Sequence, residues 1–285
     1  MQITNQQINI ALALVAAGLL AVCIASVVSA INYRMATTSI MKSKQLTIRV
    51  GNNTLSFTMT DPTNAEQPVL HEPYVVKSGI SMVANLREAF KTYARAIDLP
   101  TARVLINTPV LMVPIEQFQE ADATTLYLHS FPRNEKDVVR YNVLPTLNAV
   151  CIFCINKDLL SVFNDHFDDV QIIHVMVPVW NHLHQRSFTG HRSKIYGYFH
   201  DKQLDICSFQ QNRFKFCNSF ETSRAHDSLY FLLYVWKQLN LKPEHDEIHI
   251  LGDIPEQEWL LQEMRRYVKN AYIIPSDPMT FLTKK

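Results

Sequence analysis

Residues 194–221 read KIYGYFHDKQLDICSFQQNRFKFCNSFE, and this run sets the frame for the rest of the chain. Ile195–Phe199 is apolar and aromatic, His200-Asp201-Lys202 interrupts it, and Leu204–Phe209 resumes a strand pattern. Gln210–Asn212 interrupts again before Phe214, Phe216 and Phe220 mark a third strand, Arg213–Phe220. Short β-rich runs bounded by polar breaks predict three strands joined by tight turns. A helical run follows from about Ser223 to Leu241, with Thr222 or Ser223 as the expected N-cap. Ile248–Leu251 reads as a buried strand, Glu256–Lys269 as an amphipathic helix and Tyr272–Ile274 as a closing strand. The predicted order is an antiparallel meander, then parallel strands with crossover helices: a mixed-sheet α/β layer.

The N-terminal half opens in the same order. Leu46–Val50 and Leu55–Met59 flank Gly51-Asn52-Asn53, residues that tolerate positive φ and so predict a tight hairpin. Asp61–Pro73 reads as a loop, Tyr74–Val76 as a third strand, Met82–Ile97 as a helix ended by Pro100, and Val104–Ile106 as a buried strand. Element order repeats between the halves although the letters do not, which suggests an internal duplication. The middle departs from that plan. Glu116–Leu128 reads as helical, and Asp137–Val143 with Asn148–Ile155 as an antiparallel pair, together an insertion over about 114–156. Lys157–Phe167 is then a predicted helix, Val170–Val175 a strand, and Val179–Ser187 a connecting helix. The expected division is 1–44, 45–189 with the insertion, and 190–285.

The chain has 285 residues, 47% of them apolar or aromatic and 19% charged, with a formal net charge of +1. That length can bury a substantial core, and that charge gives no case for nucleic acid as a partner. Cys23, Cys151, Cys154, Cys207 and Cys217 are an odd set without framework spacing, which fits reduced thiols in a cytoplasmic body. No charged side chain precedes Arg34, and residues 8–31 are almost continuously apolar. As a helix they would span about 30 Å of hydrocarbon. Arg34, Lys42 and Lys44 follow, so the positive-inside rule places the body on the cytoplasmic side of the inner membrane. A start at Met41, making the segment an upstream extension, and a signal peptide cleaved near Val28-Ser29-Ala30 are the rival readings.

Two such halves with an insertion in the first resemble the ribonuclease-H-like duplication of the actin, sugar-kinase and heat-shock-chaperone superfamily. Three places carry the resemblance. Ile48–Thr54 sits where that superfamily has its first phosphate loop, and Tyr198–Cys207 where it has the second. Ile248–Asp253, followed by a helix and Ser276-Asp277-Pro278, is similar to its adenosine motif. Within the superfamily the chain is most similar to bacterial actin-like proteins of type IV pilus assembly. Over Gln45–Leu282 it also resembles an uncharacterised bacterial family described as having an actin-like ATPase fold. The resemblance implies a nucleotide cleft formed by Arg49, Gly51, Asn52, Asn53, His200, Asp201, Lys202, Gly252 and Asp253.

The residues in that cleft argue against ATP turnover. Hydrolysing members use an Asp-x-Gly hairpin whose carboxylate holds hydrated magnesium, and Arg49-Val50-Gly51 puts a guanidinium at the acidic position. Arg49 would suit a direct phosphate contact but not a magnesium. His200-Asp201-Lys202 stands where glycines are expected, and Asp253 adds bulk and negative charge beside Gly252. The expectation is a non-catalytic scaffold that works through an unidentified protein partner, with no cofactor; an ATP-binding or weakly ATP-hydrolysing protein is the alternative. A nuclease is disfavoured because Leu46–Val50 and Ile195–Phe199 contain no acid, and Asp205 and Asp253 read as surface or capping groups. Cys151 and Cys154 fall on opposite sides of a strand, and His182 and His184 on different faces of a helix, so neither pair reads as a metal site. Leu229–Trp236, apolar all round, predicts a central buried helix; an exposed face on it would instead mark a partner surface.

Overall fold

The computed structural model describes residues 44–93, 99–131, 137–211, 213–275 and 279–283. The expected helix over 8–31, Ile97 at the end of the first predicted helix, and Ser276-Asp277-Pro278 lie outside them. The described residues divide into two units, Lys44 with 61–69 and 45–60 with the described residues from 70 onward. In the first, the loop after Thr60 is closed on itself: the Asp61 carboxylate accepts from the Thr63 backbone N–H and hydroxyl, and it pairs with Lys44 at 3.1 Å.

In the second unit, β1 (Gln45–Val50) and β2 (Leu55–Thr60) form the predicted hairpin, with Val50 opposite Leu55. The turn contradicts one expectation: Gly51, Asn52 and Asn53 all keep negative φ. The loop has four residues and is closed by the Gly51 N–H donating to the Thr54 carbonyl, so no left-handed residue is needed. The third strand, β3, is Val69–Tyr74 rather than Tyr74–Val76. Helix α1 (Met82–Tyr93) precedes β4 (Thr101–Ile106), which lies parallel to β1. Then β5 (Val110–Pro114), a strand the sequence reading passed over, leads through 3₁₀ turns at Ile115–Gln117 and Glu120–Asp122 into α2 (Ala123–Ser130). The helix expected from Glu116 is thus only the second half of its range.

Strands β6 (Asp137–Leu144) and β7 (Ala149–Asn156) are the predicted antiparallel pair, and with β5 they form a three-stranded sheet ordered β5-β7-β6. Helix α3 (Lys157–Asn164) follows, its N-terminus capped by Asn156, which accepts from the N–H groups of Asp158 and Leu159. Strand β8 (Asp169–His174) and helix α4 (Val177–Ser187) complete the first half. The first large sheet has the order β3-β2-β1-β4-β8, with β4 parallel to β8.

The run quoted at the outset becomes β9 (Lys194–His200), β10 (Gln203–Gln210) and β11 (Arg213–Glu221). Helix α5 (Ala225–Gln238), β12 (Glu247–Gly252), helix α6 (Gln257–Tyr267), β13 (Asn270–Ile273) and helix α7 (Met279–Thr283) follow. The second large sheet has the order β11-β10-β9-β12-β13. Matched strand for strand, it repeats the first: β9 pairs antiparallel with β10 as β1 does with β2, β12 lies parallel to β9 as β4 does to β1, and β13 lies parallel to β12 as β8 does to β4.

The cores explain why β9 is buried along its whole length. Ile195, Phe199, Leu204 and Ile206 pack with Leu232, Trp236, Leu260 and Met264 from α5 and α6. The alternate residues Tyr196, Tyr198 and Cys207 belong instead to a larger cluster that contains Leu46, Ile48, Phe90, Phe153 and Trp180. Both faces of the second sheet are therefore covered, which turns a half-polar strand pattern into near-continuous apolar sequence. The three-stranded sheet behaves likewise: Cys151 and Phe153 face the large cluster, while Val150, Ile152 and Cys154 pack under α2 against Tyr127.

Two expectations about α5 are corrected. Its N-cap is Arg224, without a side-chain cap, while Thr222 accepts from the Ser228 hydroxyl. The helix is not buried all round, because it covers only one face of the sheet: Tyr230 is 63% exposed and Tyr234 48%.

Candidate functional site

Three chain reversals meet at the carboxyl ends of the parallel strands β1, β4, β9 and β12, the edge where open α/β sheets bind ligands. The β9–β10 reversal is a two-residue hairpin in which His200 pairs with Gln203. Asp201 and Lys202 both take positive φ, +47° and +60°. Such a turn favours Asn-Gly, since the left-handed conformation costs a side chain about 1–2 kcal/mol per residue. Here the turn presents a carboxylate.

The Asp201 side chain points across to the β1–β2 hairpin. Its Oδ2 accepts from Arg49 Nη2 at 3.0 Å and from Asn107 Nδ2 at 3.0 Å. Asn107 follows β4 directly, its backbone N–H donating to Val50 O, and its amide also donates to Gln203 Oε1 at 3.1 Å. Gly51 is required by this contact. A Cβ there would lie 2.9 Å from Asp201 Oδ2 and 2.3 Å from Thr54 Oγ1. In a nucleotide-binding hairpin the glycine would leave its backbone open to a phosphate; in this one Asp201's own carboxylate covers it.

The node continues inward through His200. Its Nε2 lies 2.5 Å from Asp205 Oδ2, its Nδ1 lies 3.4 Å from Asp201 Oδ2, and its ring stacks on Tyr198. The remaining Asp205 oxygen accepts from the Ser219 hydroxyl. Burial pushes the His200 ring toward neutrality, but hydrogen bonds to Asp201 and Asp205 outweigh it and hold the pKa above its ordinary value. Asp201 is shifted the other way. Burial would raise its pKa, and the His200 hydrogen bond and the Arg49 charge bring it well below the usual carboxylate range. Arg49 Nη2 also lies 3.3 Å from His200 Nδ1, so two basic groups and two carboxylates share a site that is almost closed to water.

Of the nine residues predicted to line the cleft, Arg49, Gly51, His200 and Asp201 come together. Asn52, Asn53 and Lys202 are exposed at the hairpin tips. Gly252 and Asp253 sit one residue from His200 along the strand ends: Gly252 pairs with Phe199, and the Asp253 N–H donates to Phe199 O. Gly252 has φ +92°, and a Cβ on it would lie 2.1 Å from Phe199 O, so this position admits only glycine. Asp253 is exposed.

Sequence reasoning missed Asn107, Gln203 and Ser219, and it misassigned Asp205. That residue is 4% exposed rather than a surface or capping group, because its face of β10 turns toward the large core. The available signal was the place of Asn107 immediately after a buried parallel strand. Next to the node, a cavity of about 470 Å³ opens between β5 and β11, with Asn107, His174, Gln203 and Asp205 in its lining. His174 is wholly buried; Nε2 donates to Thr108 O and Nδ1 accepts from the Met176 N–H, and burial lowers its pKa to about 4.

The residues do not fit magnesium-bound ATP. The position that should hold the hydrated ion carries Arg49, and the glycine backbone that should meet the phosphates is covered by Asp201. Among the described residues no group of three or more His, Cys, Asp or Glu side chains is placed to hold a metal. Burial raises the Cys151 pKa to about 12, and His184 is turned inward with Nε2 donating to Gln211 O.

A family model for a protein of unknown function, DUF3822, matches residues 34–271. A crystal structure from Bacteroides thetaiotaomicron, described as a protein with actin-like ATPase fold and unknown function, is 28% identical with a TM-score of 0.76. That match covers 86% of this chain and 97% of the other. The cytoplasmic domain of EpsL, an inner-membrane component of the type II secretion system of Vibrio cholerae, is 13% identical (TM-score 0.48, 85% of this chain and 93% of that one). A structure of the PilM–PilN type IV pilus biogenesis complex gives 11% identity (TM-score 0.48, 82% and 88%). No curated protein matches the chain. The element order, the paired sheets, the family model and the Bacteroides structure agree: the chain belongs to the DUF3822 family of proteins of unknown function and has the actin-like ATPase fold.

Proposed function

We propose that this protein is a non-catalytic scaffold of actin-like fold whose ancestral nucleotide cleft, inherited with a duplicated ribonuclease-H-like layer, is filled by its own side chains. One observation carries the reading: the Asp201 carboxylate, held by Arg49 and Asn107 over Gly51, takes the place a phosphate would need. An incoming phosphate would have to displace a buried ion pair and would gain no magnesium ligand in return. The same interactions tie the β1–β2 hairpin to the β9–β10 hairpin, so the cleft is a structural joint between the two halves. Titration calorimetry with Mg-ATP tests this reading. No heat of binding is expected at millimolar nucleotide, and micromolar affinity would defeat it.

A second reading, nucleotide binding without turnover, has one observation in its favour. Arg49 Nε and Thr54 Oγ1 are buried beside Gly51 without a hydrogen-bond partner. These are donors an anion would use. Titration with inorganic phosphate and with ATP free of magnesium separates the readings, because the second expects magnesium-independent binding that Arg49→Met abolishes.

The scaffold reading places the body at the cytoplasmic face of a membrane, tethered through residues 8–31. Among the described residues no helix is long and apolar enough to cross a membrane, so the tether rests on those N-terminal residues alone. Expression from Met1 and from Met41 followed by fractionation is the check. The longer product is expected with membranes and the shorter one in the soluble fraction.

A further inference from the structure

Strand β5 ends its sheet on one side and β11 ends the second large sheet, so among the described residues each has an edge without a strand neighbour. Residues of both edge strands line the same two cavities. The cavity of about 470 Å³ is lined by Val110–Met112 from β5 and Cys217–Glu221 from β11. A second cavity, of about 300 Å³, is lined by Met112–Pro114 and Arg213–Cys217. Met112 and Cys217 line both, so the cavities form one seam along the whole of β11. The lining residues advance along β5 as they retreat along β11, so the two edges run in opposite directions.

We propose that this seam is a slot for an extended segment of a partner protein, seated as an added strand with a basic side chain at its Glu221 end and an acidic one at its Lys215 end. Both walls offer strand edges, and a ligand that satisfies two such edges needs backbone donors and acceptors at strand spacing, which is what an extended peptide provides. At about 3.3 Å per residue, the nine residues of β11 present an edge of roughly 30 Å. Met112, Phe214 and Cys217 give the second cavity an apolar floor suited to alternate side chains. Lys215 and Glu221 are exposed at opposite ends, and this charge asymmetry selects the end charges of the occupant. Arg213 crosses the Lys215 end to reach Glu116 at 2.9 Å, an exposed pair that yields readily to an entering chain. Asn107, Asp205 and Ser219 belong both to the slot lining and to the Arg49–Asp201 node, whereas Lys215 and Glu221 touch none of the node's side chains, so charge selection at those two residues is read separately from the nucleotide reading.

The test is hydrogen exchange on the full-length chain with synthetic peptides as long as β11. The probe alternates Thr and Val between a terminal Lys and a terminal Glu; one control carries Glu at both ends, and another is the probe N-methylated at alternate amides. The Lys/Glu probe is expected to slow exchange in Val110–Pro114 and Arg213–Glu221 about tenfold at saturation, equivalent to about 1.4 kcal/mol. The N-methylated peptide should have no effect. In Glu221→Lys, an exposed change that leaves folding intact, the Glu/Glu peptide should become the stronger ligand. Equal protection by the N-methylated peptide would overturn the proposal, as would no protection by any peptide at millimolar concentration. So would protection that grows with protein concentration alone, since a second copy would then cover the edge.

Discussion

Asp201 occupies a turn position that most sequences give to Asn or Gly, and its carboxylate compensates for the backbone cost by joining Arg49, Asn107 and His200. Two neighbouring substitutions should therefore diverge. Lys202→Gly relieves a left-handed side chain that is exposed, and should raise stability by up to about 1 kcal/mol in urea unfolding. Asp201→Leu leaves Arg49 buried without its partner and should cost about 3–5 kcal/mol. Pairing it with Arg49→Met should recover most of that loss; a double variant no better than the single would show that the pair is not the coupling. The pH dependence follows from the same node. His200 has a folded pKa above 6.5, so its contribution is complete below about that pH and fades as pH rises through the folded value. Asp201 lies below 3.8, so its contribution is present above that pH and is lost as pH falls through the lowered value. His200→Gln should flatten the alkaline limb of a stability–pH profile and leave much of the acid limb in place.

Among the elements, α5 shows how far pattern reading goes. Its letters are apolar on every side, and length and period are enough to predict a helix. Which side is covered depends on the sheet beneath, and that sheet takes Leu232, Val235 and Trp236 while leaving Tyr230 and Tyr234 stacked on each other at 6.1 Å. Leu232→Ala should cost about 2–5 kcal/mol, whereas Tyr230→Ala and Tyr234→Ala should each stay within about 0.5 kcal/mol of wild type. A large loss from either tyrosine change would mean that the face is packed. The β12–α6 reversal is less forgiving. Gly252→Ala meets Phe199 O and an unfavourable φ together, and should destabilise by at least about 1–3 kcal/mol.

At the scale of the molecule, the largest core runs through both sheets: Leu46 and Val50 share it with Tyr196, Cys207 and Leu251. Two halves built on one plan are therefore expected to unfold together. Trp180 lies in this shared core and Trp236 in the core under α5, so their fluorescence reports on both. A single transition seen alike by tryptophan fluorescence and far-ultraviolet circular dichroism is the expected outcome. Separate midpoints in single-tryptophan variants would show that the halves are independent.

By itself the sequence determined the order and type of nearly every described element, because periodicity, turn residues and strand length are local properties. It also placed Arg49, a guanidinium unsuited to holding magnesium, in the first hairpin, since the charge of a side chain is a local property. Tertiary structure decided what covers each face and what each polar group meets. Asp205 became a buried partner of His200, α5 kept an open side, and β5 emerged as an edge strand lining the same cavities as β11. Asp201, merely an obstruction when read along the chain, proved to be the anion that Arg49 binds. The reason is physical: burial and ion pairing depend on which residues the fold brings close, as it does Arg49 and Asp201 from 152 positions apart, and no local pattern encodes that meeting.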